Sequence, residues 1–205
     1  MTEEEAKRWV ADRWGGETVD RLASYATMLV DEASVQNLIA RSTLNTLWAR
    51  HLTDSAQLVA LADGHRGQGD WIDIGTGAGV PGVIAAILQS RRVVMVEPRR
   101  RRVEFLERVT ATLGLDAVVI CSKVEAVKGH SAGVISARAV ATLDALLAAA
   151  QGVLRADTIW ILPKGQSAAS EIAVARQTWQ GVFHVEQSVT KSDSMIVIAR
   201  EVRRR

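Results

Sequence analysis

Four glycines stand within eight positions, at the point where one apolar run ends and the next begins. The stretch reads "DWIDIGTGAGVPGVIAAIL" over residues 70–88, with Gly75, Gly77, Gly79 and Gly82 at its centre. A strand, a glycine turn and the start of a helix together leave backbone N–H groups free to face a ligand. Pro81 fits near the helix start, because its missing N–H would be unpaired there in any case. The stretch therefore predicts a strand–helix unit whose turn binds a ligand.

Short β-rich runs alternate with helical stretches after this turn. "VVMVE" precedes "RRRRVEFLERVTATLG", and "GVISARA" precedes "TLDALLAAAQGVL". This alternation predicts a parallel sheet with helices on both faces. Only "TKSDS" separates the last two β-rich runs, "VFHVEQSV" and "MIVIAREV", so they predict an antiparallel hairpin at the sheet edge. We expect seven strands in an α/β fold.

The N-terminal part of the chain has helical rather than strand periodicity. It predicts helices over residues 3–14, 18–31 and 43–62. With 205 residues, of which 48% are hydrophobic, we expect one domain, residues 1–205, in which a helical extension (1–62) packs on an α/β core (70–205). No secretory signal or membrane-spanning run is evident, so we expect a cytoplasmic protein. No long exposed apolar seam stands out, so we expect a monomer. The single cysteine, Cys121, lies in the apolar run "AVVICS" and is expected in the core.

Two ligand motifs fit the glycine turn. From Gly77, the chain satisfies the dinucleotide pattern G-x-G-x-x-G; from Asp73, it satisfies acidic-x-G-x-G-x-G, which is typical of S-adenosylmethionine enzymes. The first glycine after the strand is Gly75, and counting from it puts Val80 where the dinucleotide pattern needs a glycine. Asp73 at the strand tip suits an ammonium group better than a pyrophosphate. The turn therefore favours S-adenosylmethionine, with a nicotinamide oxidoreductase as the rival.

Acidic residues follow the next two strands. Glu97 ends "VVMVE", where its two carboxylate oxygens can accept from both hydroxyls of a ribose; the alternative is a surface glutamate that balances nearby arginines. In "CSKVEAV", Glu125 can accept from an adenine amino group while Val124 lines the pocket, although a loop glutamate is usually only solvated.

Positive charge is concentrated in one part of the chain. The net charge is only +2, yet residues 91–108 hold seven arginines and three glutamates, a local balance of +4, and the chain closes on "EVRRR". Such patches suit a polyanion, although a solvated face explains them as well.

Several motifs together resemble the bacterial 16S ribosomal RNA guanine-N7 methyltransferases, the glucose-inhibited division protein B family. They run from about residue 37 onward and comprise "NLIA", "RHLTDS", "DIGTGAGVPG", "RRVEFLERV", "SKVE", "ISARA" and "PKG". The resemblance implies a seven-stranded, Rossmann-like class I methyltransferase sheet. It also implies S-adenosylmethionine contacts at Gly75, Val80, Val124, Glu125 and Arg138, to which the glycine turn and second strand add Gly77 and Glu97. Glu97 stands where relatives often have Asp, and "ARSTLNTLW" departs from the family pattern.

The resemblance implies transfer of a methyl group to guanine N7 of 16S ribosomal RNA, either naked or within the small subunit. N7 carries a free lone pair, so no general base is needed, and we predict no catalytic acid or base and no metal. A-form RNA buries its major groove, so we expect a target in a loop or splayed from its stack. A small-molecule methyltransferase and a non-catalytic RNA-binding factor are the alternatives.

Five residues are the candidates for contact with RNA: Arg50, His51, Arg99, Arg100 and Lys164. Arg99 and Arg100 begin the helix after Glu97, where phosphate contacts are expected. His51 fits a structural role equally well, and Lys164 fits a helix cap or a solvated lysine.

Overall fold

The computed structural model describes all 205 residues, which form seven α-helices and seven strands. The helices are α1 (Glu3–Trp14), α2 (Gly16–Ala33), α3 (Thr53–Ala62), α4 (Gly82–Leu88), α5 (Arg100–Leu113), α6 (Leu143–Ala149) and α7 (Ala168–Thr178). The strands are β1 (Asp70–Ile74), β2 (Val93–Val96), β3 (Ala117–Ile120), β4 (Ala132–Ser136), β5 (Leu154–Pro163), β6 (Trp179–Gln187) and β7 (Met195–Arg204). No helix combines the length and the apolar character needed to cross a membrane.

The strands form one sheet in the order β3-β2-β1-β4-β5-β7-β6. The first five strands are parallel, and β7 runs antiparallel to β5 and β6. Both the seven strands and the antiparallel hairpin at the edge are therefore confirmed. The order reverses between β1 and β4, which opens a crevice at the carboxyl ends of these strands, where α/β sheets bind ligands. We call this side of the sheet the carboxyl edge and the opposite side the amino edge.

Helices cover both faces of the sheet, and this explains the continuous apolar strands. Every residue of β2 and β4 is buried, as expected for strands packed on both faces. Alternate residues serve opposite cores: Trp71 packs with α1–α5, whereas Ile72 packs with α6 and α7. Since α1 and α2 contribute to the same core as β1 and β2, we infer that residues 1–62 and 70–205 fold as one domain.

The helix predicted over residues 43–62 is wrong in its first half. Residues Arg41–Thr46 form a 3₁₀ turn and Trp48–Leu52 a π turn, before α3 begins at Thr53. The physical cause lies on α1, where the Glu3 carboxylate accepts from the amides of Trp48 and Ala49, both at 2.9 Å. These amides are the unpaired donors of a helix start, so Glu3 fixes the place where the helical segment begins.

The prediction that Cys121 lies in the core is also wrong, because the residue is exposed. It follows directly on β3, which is an edge strand of the sheet with only partial burial. An apolar run on an edge strand has one protected side, so burial inferred from the run alone fails here.

Replacing Glu3 by alanine is expected to lower the free energy of unfolding by about 1 kcal/mol, because two helix-start amides lose their shared acceptor. Chemical denaturation measures the change. Glu4→Ala is the matched control, since Glu4 is exposed and pairs only with Lys7 on the same helix. Equal losses for the two variants would contradict a capping role for Glu3.

Candidate functional site

A buried carboxylate organises the carboxyl edge. Asp73 is fully buried near the end of β1; its Oδ2 accepts from the Gly82 amide at 2.9 Å and its Oδ1 from the Ser136 hydroxyl at 2.7 Å. Ser136 in turn accepts from the Trp71 indole at 2.8 Å. Burial raises the pKa of Asp73 to about 6, against the opposing effect of these hydrogen bonds. The carboxylate thus joins β1, β4 and the start of α4, and a contact from Asp73 to a ligand's ammonium, directly or through water, stays a prediction.

Close approach of the chain explains two of the glycines in the turn. A Cβ at Gly82 would lie 2.7 Å from Met95 Cγ and 2.9 Å from Asp73 Oδ2, so α4 packs on the strands only because this side chain is absent. Gly75 has φ +65°, and a Cβ there would lie 2.6 Å from Val140 Cγ2. Both positions admit only glycine without rearrangement.

Tyr25, on α2, binds the glycine turn from the core of the protein. Its hydroxyl donates to the Ala78 carbonyl at 2.6 Å, and the residue is fully buried between α2 and the turn. Burial raises the pKa of Tyr25 far above its ordinary value, so it remains a donor. The sequence placed this residue only within the helix predicted over residues 18–31. Its signal was that the only tyrosine of the chain lies on an otherwise aliphatic face, since a buried tyrosine needs a hydrogen-bond partner.

Glu97 joins the glycine turn to the start of α5. It is 3% exposed; its Oε2 accepts from the Gly77 amide at 3.0 Å and its Oε1 from the Arg99 amide at 2.9 Å. Arg102 Nη1 lies 3.7 Å from the same carboxylate. Each carboxylate oxygen has a second lone pair, so the group can accept further donors while it holds both loops.

The structure brings the other predicted cofactor residues to the same edge. Val80 is buried at the end of the glycine turn, and Val124 is buried at the start of a short 3₁₀ turn after β3. Glu125, the next residue, is exposed. Because β1, β2 and β3 are neighbours in the sheet, the loops that follow them form a continuous row.

Beside this row, a polar cleft of about 560 Å³ opens between β4, β5 and the π turn. Arg138 follows β4 and reaches across the cleft. Its guanidinium donates to the Arg50 carbonyl at 3.1 Å and to His51 Nδ1 at 2.9 Å, and lies 3.4 Å from Asp54 Oδ2. Arg50 itself is exposed on the rim. Arg138 thus connects the α/β core to the N-terminal helical segment.

The contacts of His51 define its tautomer. A guanidinium only donates, so Nδ1 accepts from Arg138 and Nε2 carries the proton that it donates to Thr43 Oγ1 at 2.8 Å. Burial, followed by the charges of Arg138 and Arg50, lowers the pKa of His51 to about 4. Of the two roles left open by the sequence, these contacts support the structural one.

The loop of the β6–β7 hairpin borders the cleft and contacts α3 through hydrogen bonds that the sequence did not indicate. Thr190 donates to Asp54 Oδ1 at 2.7 Å, and the Val189 amide donates to Gln57 Oε1 at 2.9 Å. Gln57 also donates to Ser188 at 3.0 Å. Asp54 and Gln57 are three residues apart and share a face of α3, which is the signal that could have paired them.

Lys164 lies in the opposite wall of the cleft with its ammonium already engaged. Its side chain is 6% exposed, and Nζ contacts the Ala141 carbonyl at 2.5 Å and Glu171 Oε2 at 3.0 Å. Glu171 also accepts from the Leu143 amide at 2.6 Å. These contacts fix the loop between β4 and α6, so a contact from Lys164 to RNA stays a prediction.

The run of arginines divides into two sets. Arg99 and Arg100 are exposed at the start of α5, where Arg100 pairs only with Glu104 at 3.2 Å. The others bind the protein: Arg101 donates to the Val35 carbonyl, Arg102 to the Asn37 carbonyl, and Arg108 to Glu32. Arg101 and Arg108 are exposed as well, but Arg99 and Arg100 are the two without a side-chain contact outside α5.

Comparison with known proteins identifies relatives across nearly the whole chain. The profile of the family described as "rRNA small subunit methyltransferase G" matches residues 18–198. The ribosomal RNA small subunit methyltransferase G of Sphingopyxis alaskensis is 44% identical, covering 96% of this chain and 85% of that protein. The protein of the same name from Rhizorhabdus wittichii is 43% identical, covering 100% and 95%. Among solved structures, a methyltransferase from Geobacter sulfurreducens has a TM-score of 0.58 at 16% identity, covering 86% of this chain and 90% of that one.

His51 is expected to stay neutral, with its proton on Nε2, well below its ordinary pKa of 6.5. Nitrogen-15 NMR of the ring measures the tautomer and the titration. Between about pH 6.5 and 4 the unfolded chain binds a proton here that the folded chain does not, so the contribution of His51 to the free energy of unfolding falls as the pH is lowered through this range. His51→Gln, which keeps a donor and an acceptor but cannot titrate, should lose this component. Protonation of the folded ring near pH 6.5 would contradict the assignment.

Proposed function

The chain belongs to the rRNA small subunit methyltransferase G family, and on that premise we propose that it transfers the methyl group of S-adenosylmethionine to N7 of a guanine in 16S ribosomal RNA. The observation that supports S-adenosylmethionine as the cofactor is the hydrogen bond of 3.0 Å from the Gly77 amide to Glu97. It joins the glycine turn, which follows β1 beside the strand-order reversal, to the acidic residue that follows β2. A polar, cation-lined cleft lies immediately beside it.

The residues of the carboxyl edge fit a nucleoside. Glu97 has free lone pairs for two ribose hydroxyls, and the partly exposed Gly75 and Gly77 bring no side chain beside it, while their amides donate to Val96 and to Glu97. Val124 would contact the adenine through its apolar side chain, and Glu125 would accept from the adenine amino group. Val80 would line the same pocket, and Arg138 would border its methionine end. S-adenosylmethionine supplies an electrophilic methyl on a sulfonium.

Methyl transfer to guanine N7 requires the protein to position the guanine but not to transfer a proton. Guanine N7 attacks through its own lone pair, so the rate depends on alignment and on exclusion of water. The cleft beside the cofactor row is held open by Arg138, His51 and Asp54 on one wall and by Lys164 on the other. We propose that it receives the target guanine, with Arg50 on the rim and Arg99 and Arg100 on adjacent phosphates. A substrate in the small ribosomal subunit implies a cytoplasmic enzyme, and we propose that it acts as a monomer.

Gly75→Val is expected to abolish S-adenosylmethionine binding while the fold survives. The new side chain would enter the space of Val140 in a backbone conformation, φ +65°, that valine rarely adopts. Calorimetry measures the affinity and circular dichroism the fold. Gly16→Val is the control, because a Cβ there meets nothing within 4 Å. Binding like that of the wild type in Gly75→Val would overturn the role assigned to the turn.

The decisive experiment transfers methyl from labelled S-adenosylmethionine to isolated small subunits lacking the modification, and then identifies the nucleoside. We expect 7-methylguanosine in 16S RNA. A different methylated nucleoside would refute the N7 assignment.

Arg99→Ser/Arg100→Ser separates the RNA enzyme from a small-molecule methyltransferase. The substitution should raise KM for subunits severalfold and leave the S-adenosylmethionine affinity unchanged, since both side chains are exposed and face outward. Arg8→Ser, an exposed arginine on α1, is the control. An unchanged KM would favour the small-molecule alternative.

A further inference from the structure

The end of β7 leaves the body of the sheet. Only residues Ile196 to Ala199 pair with β5, whereas Arg203 and Arg204 pair with Gln180 and Trp179 of β6 alone. Because β7 runs antiparallel to β5, this end lies at the amino edge, on the far side from the glycine turn and the cleft. We call the four arginines of this segment, Arg200, Arg203, Arg204 and Arg205, the arginine arm.

A bulge bends the strand within the arm. The pairing register shifts between Gln180 and Val182, and Glu201 takes φ +54°, a left-handed conformation that is uncommon for a residue other than glycine. Such bulges redirect the side chains of a strand. The arm is nevertheless fixed, since the Arg205 amide donates to the Thr178 carbonyl at 2.9 Å. Its charges are thus presented by ordered backbone.

The arm is free of internal partners. All four arginines are exposed, and none lies within 4.0 Å of a carboxylate oxygen of the chain. Neighbouring charges on this edge behave differently: Arg155 pairs with Asp157 and Arg92 with Asp116. The acidic Glu201 within the arm offsets one of its four charges. The amino edge therefore carries unneutralised positive charge that no fold contact uses.

We propose that the arginine arm is a second RNA-phosphate contact, separate from the methyl-transfer cleft. The proposal rests on the proposed function. Guanidinium groups bind phosphates by paired hydrogen bonds, and the arm offers little of the apolar or aromatic surface that the centre of a protein interface needs. Arg204 lies eight positions after Ile196 along β7, which at about 3.3 Å per residue, less the bulge, places the end of the arm roughly 20–25 Å from the cleft. A short RNA that fills the cleft does not reach it, whereas a larger substrate does.

The test compares Arg203→Ser/Arg204→Ser/Arg205→Ser with the matched triple lysine variant, which keeps the charge. Binding to 16S RNA and to small subunits is measured over a range of salt concentrations. The serine variant should flatten the slope of log K against log salt by about two units, because each lost phosphate contact removes somewhat less than one unit. The lysine variant should keep the wild-type slope.

Kinetics distinguish a second contact from damage to the cleft. The serine variant should raise KM for subunits about tenfold and leave unchanged both kcat and the turnover of a short stem-loop carrying the target guanine. An unchanged salt slope would overturn the proposal, and so would an equal loss on the short stem-loop. Weaker binding to subunits with unchanged binding to naked RNA would show a protein partner instead.

A check of the fold and a second variant separate a loss of RNA contact from a loss of stability. Circular dichroism checks the fold, and if the triple serine variant is unstable, the single variant Arg205→Glu replaces it, with a loss of affinity that salt abolishes as the expected result. If wild-type protein methylates nothing, the proposed function fails, yet the salt slopes still report on the arm.

Discussion

The carboxyl edge of this sheet depends on one buried carboxylate. Asp73 accepts from the first amide of α4 and, through Ser136, from the Trp71 indole, so a single group fixes the positions of β1, β4 and α4. A buried acid is unfavourable unless its lone pairs are filled, and here they are filled by donors from the elements that must stay together. The glycine turn, Glu97 and the cleft all lie on this framework.

The sequence predicted the fold well because its signals are periodic and local. The βα alternation and the closing hairpin follow from patterning, and the structure confirms them. Its failures share a cause, which is contact between distant parts of the chain. Glu3 decides where the third helical segment begins, and the edge position of β3 leaves Cys121 exposed. Neither the contact of Glu3 with residues 48 and 49 nor the place of β3 in the sheet can be read from a short stretch of sequence.

The sequence predicted which residue types form the candidate site and at which edge of the sheet they lie, but it did not predict the contacts that each residue makes. Glu97 was expected to face a ligand, and it also joins two loops. Seven arginines in residues 91–108 suggested one basic patch, but successive residues of a helix point in different directions. Arg101 and Arg102 therefore tie α5 to the segment after α2, whereas Arg99 and Arg100 remain exposed. The polar contacts between the hairpin and α3 join residues more than 130 positions apart, so the sequence alone did not predict them.

Tyr25 joins the helical extension directly to the glycine turn. Its hydroxyl donates to the Ala78 carbonyl inside the protein, and of the turn only Gly75 and Gly77 are partly exposed. A turn of several glycines has high conformational entropy, and a protein that ordered it only upon binding would lose affinity by that amount. Because α2 orders the turn during folding, that entropy is lost before any ligand arrives.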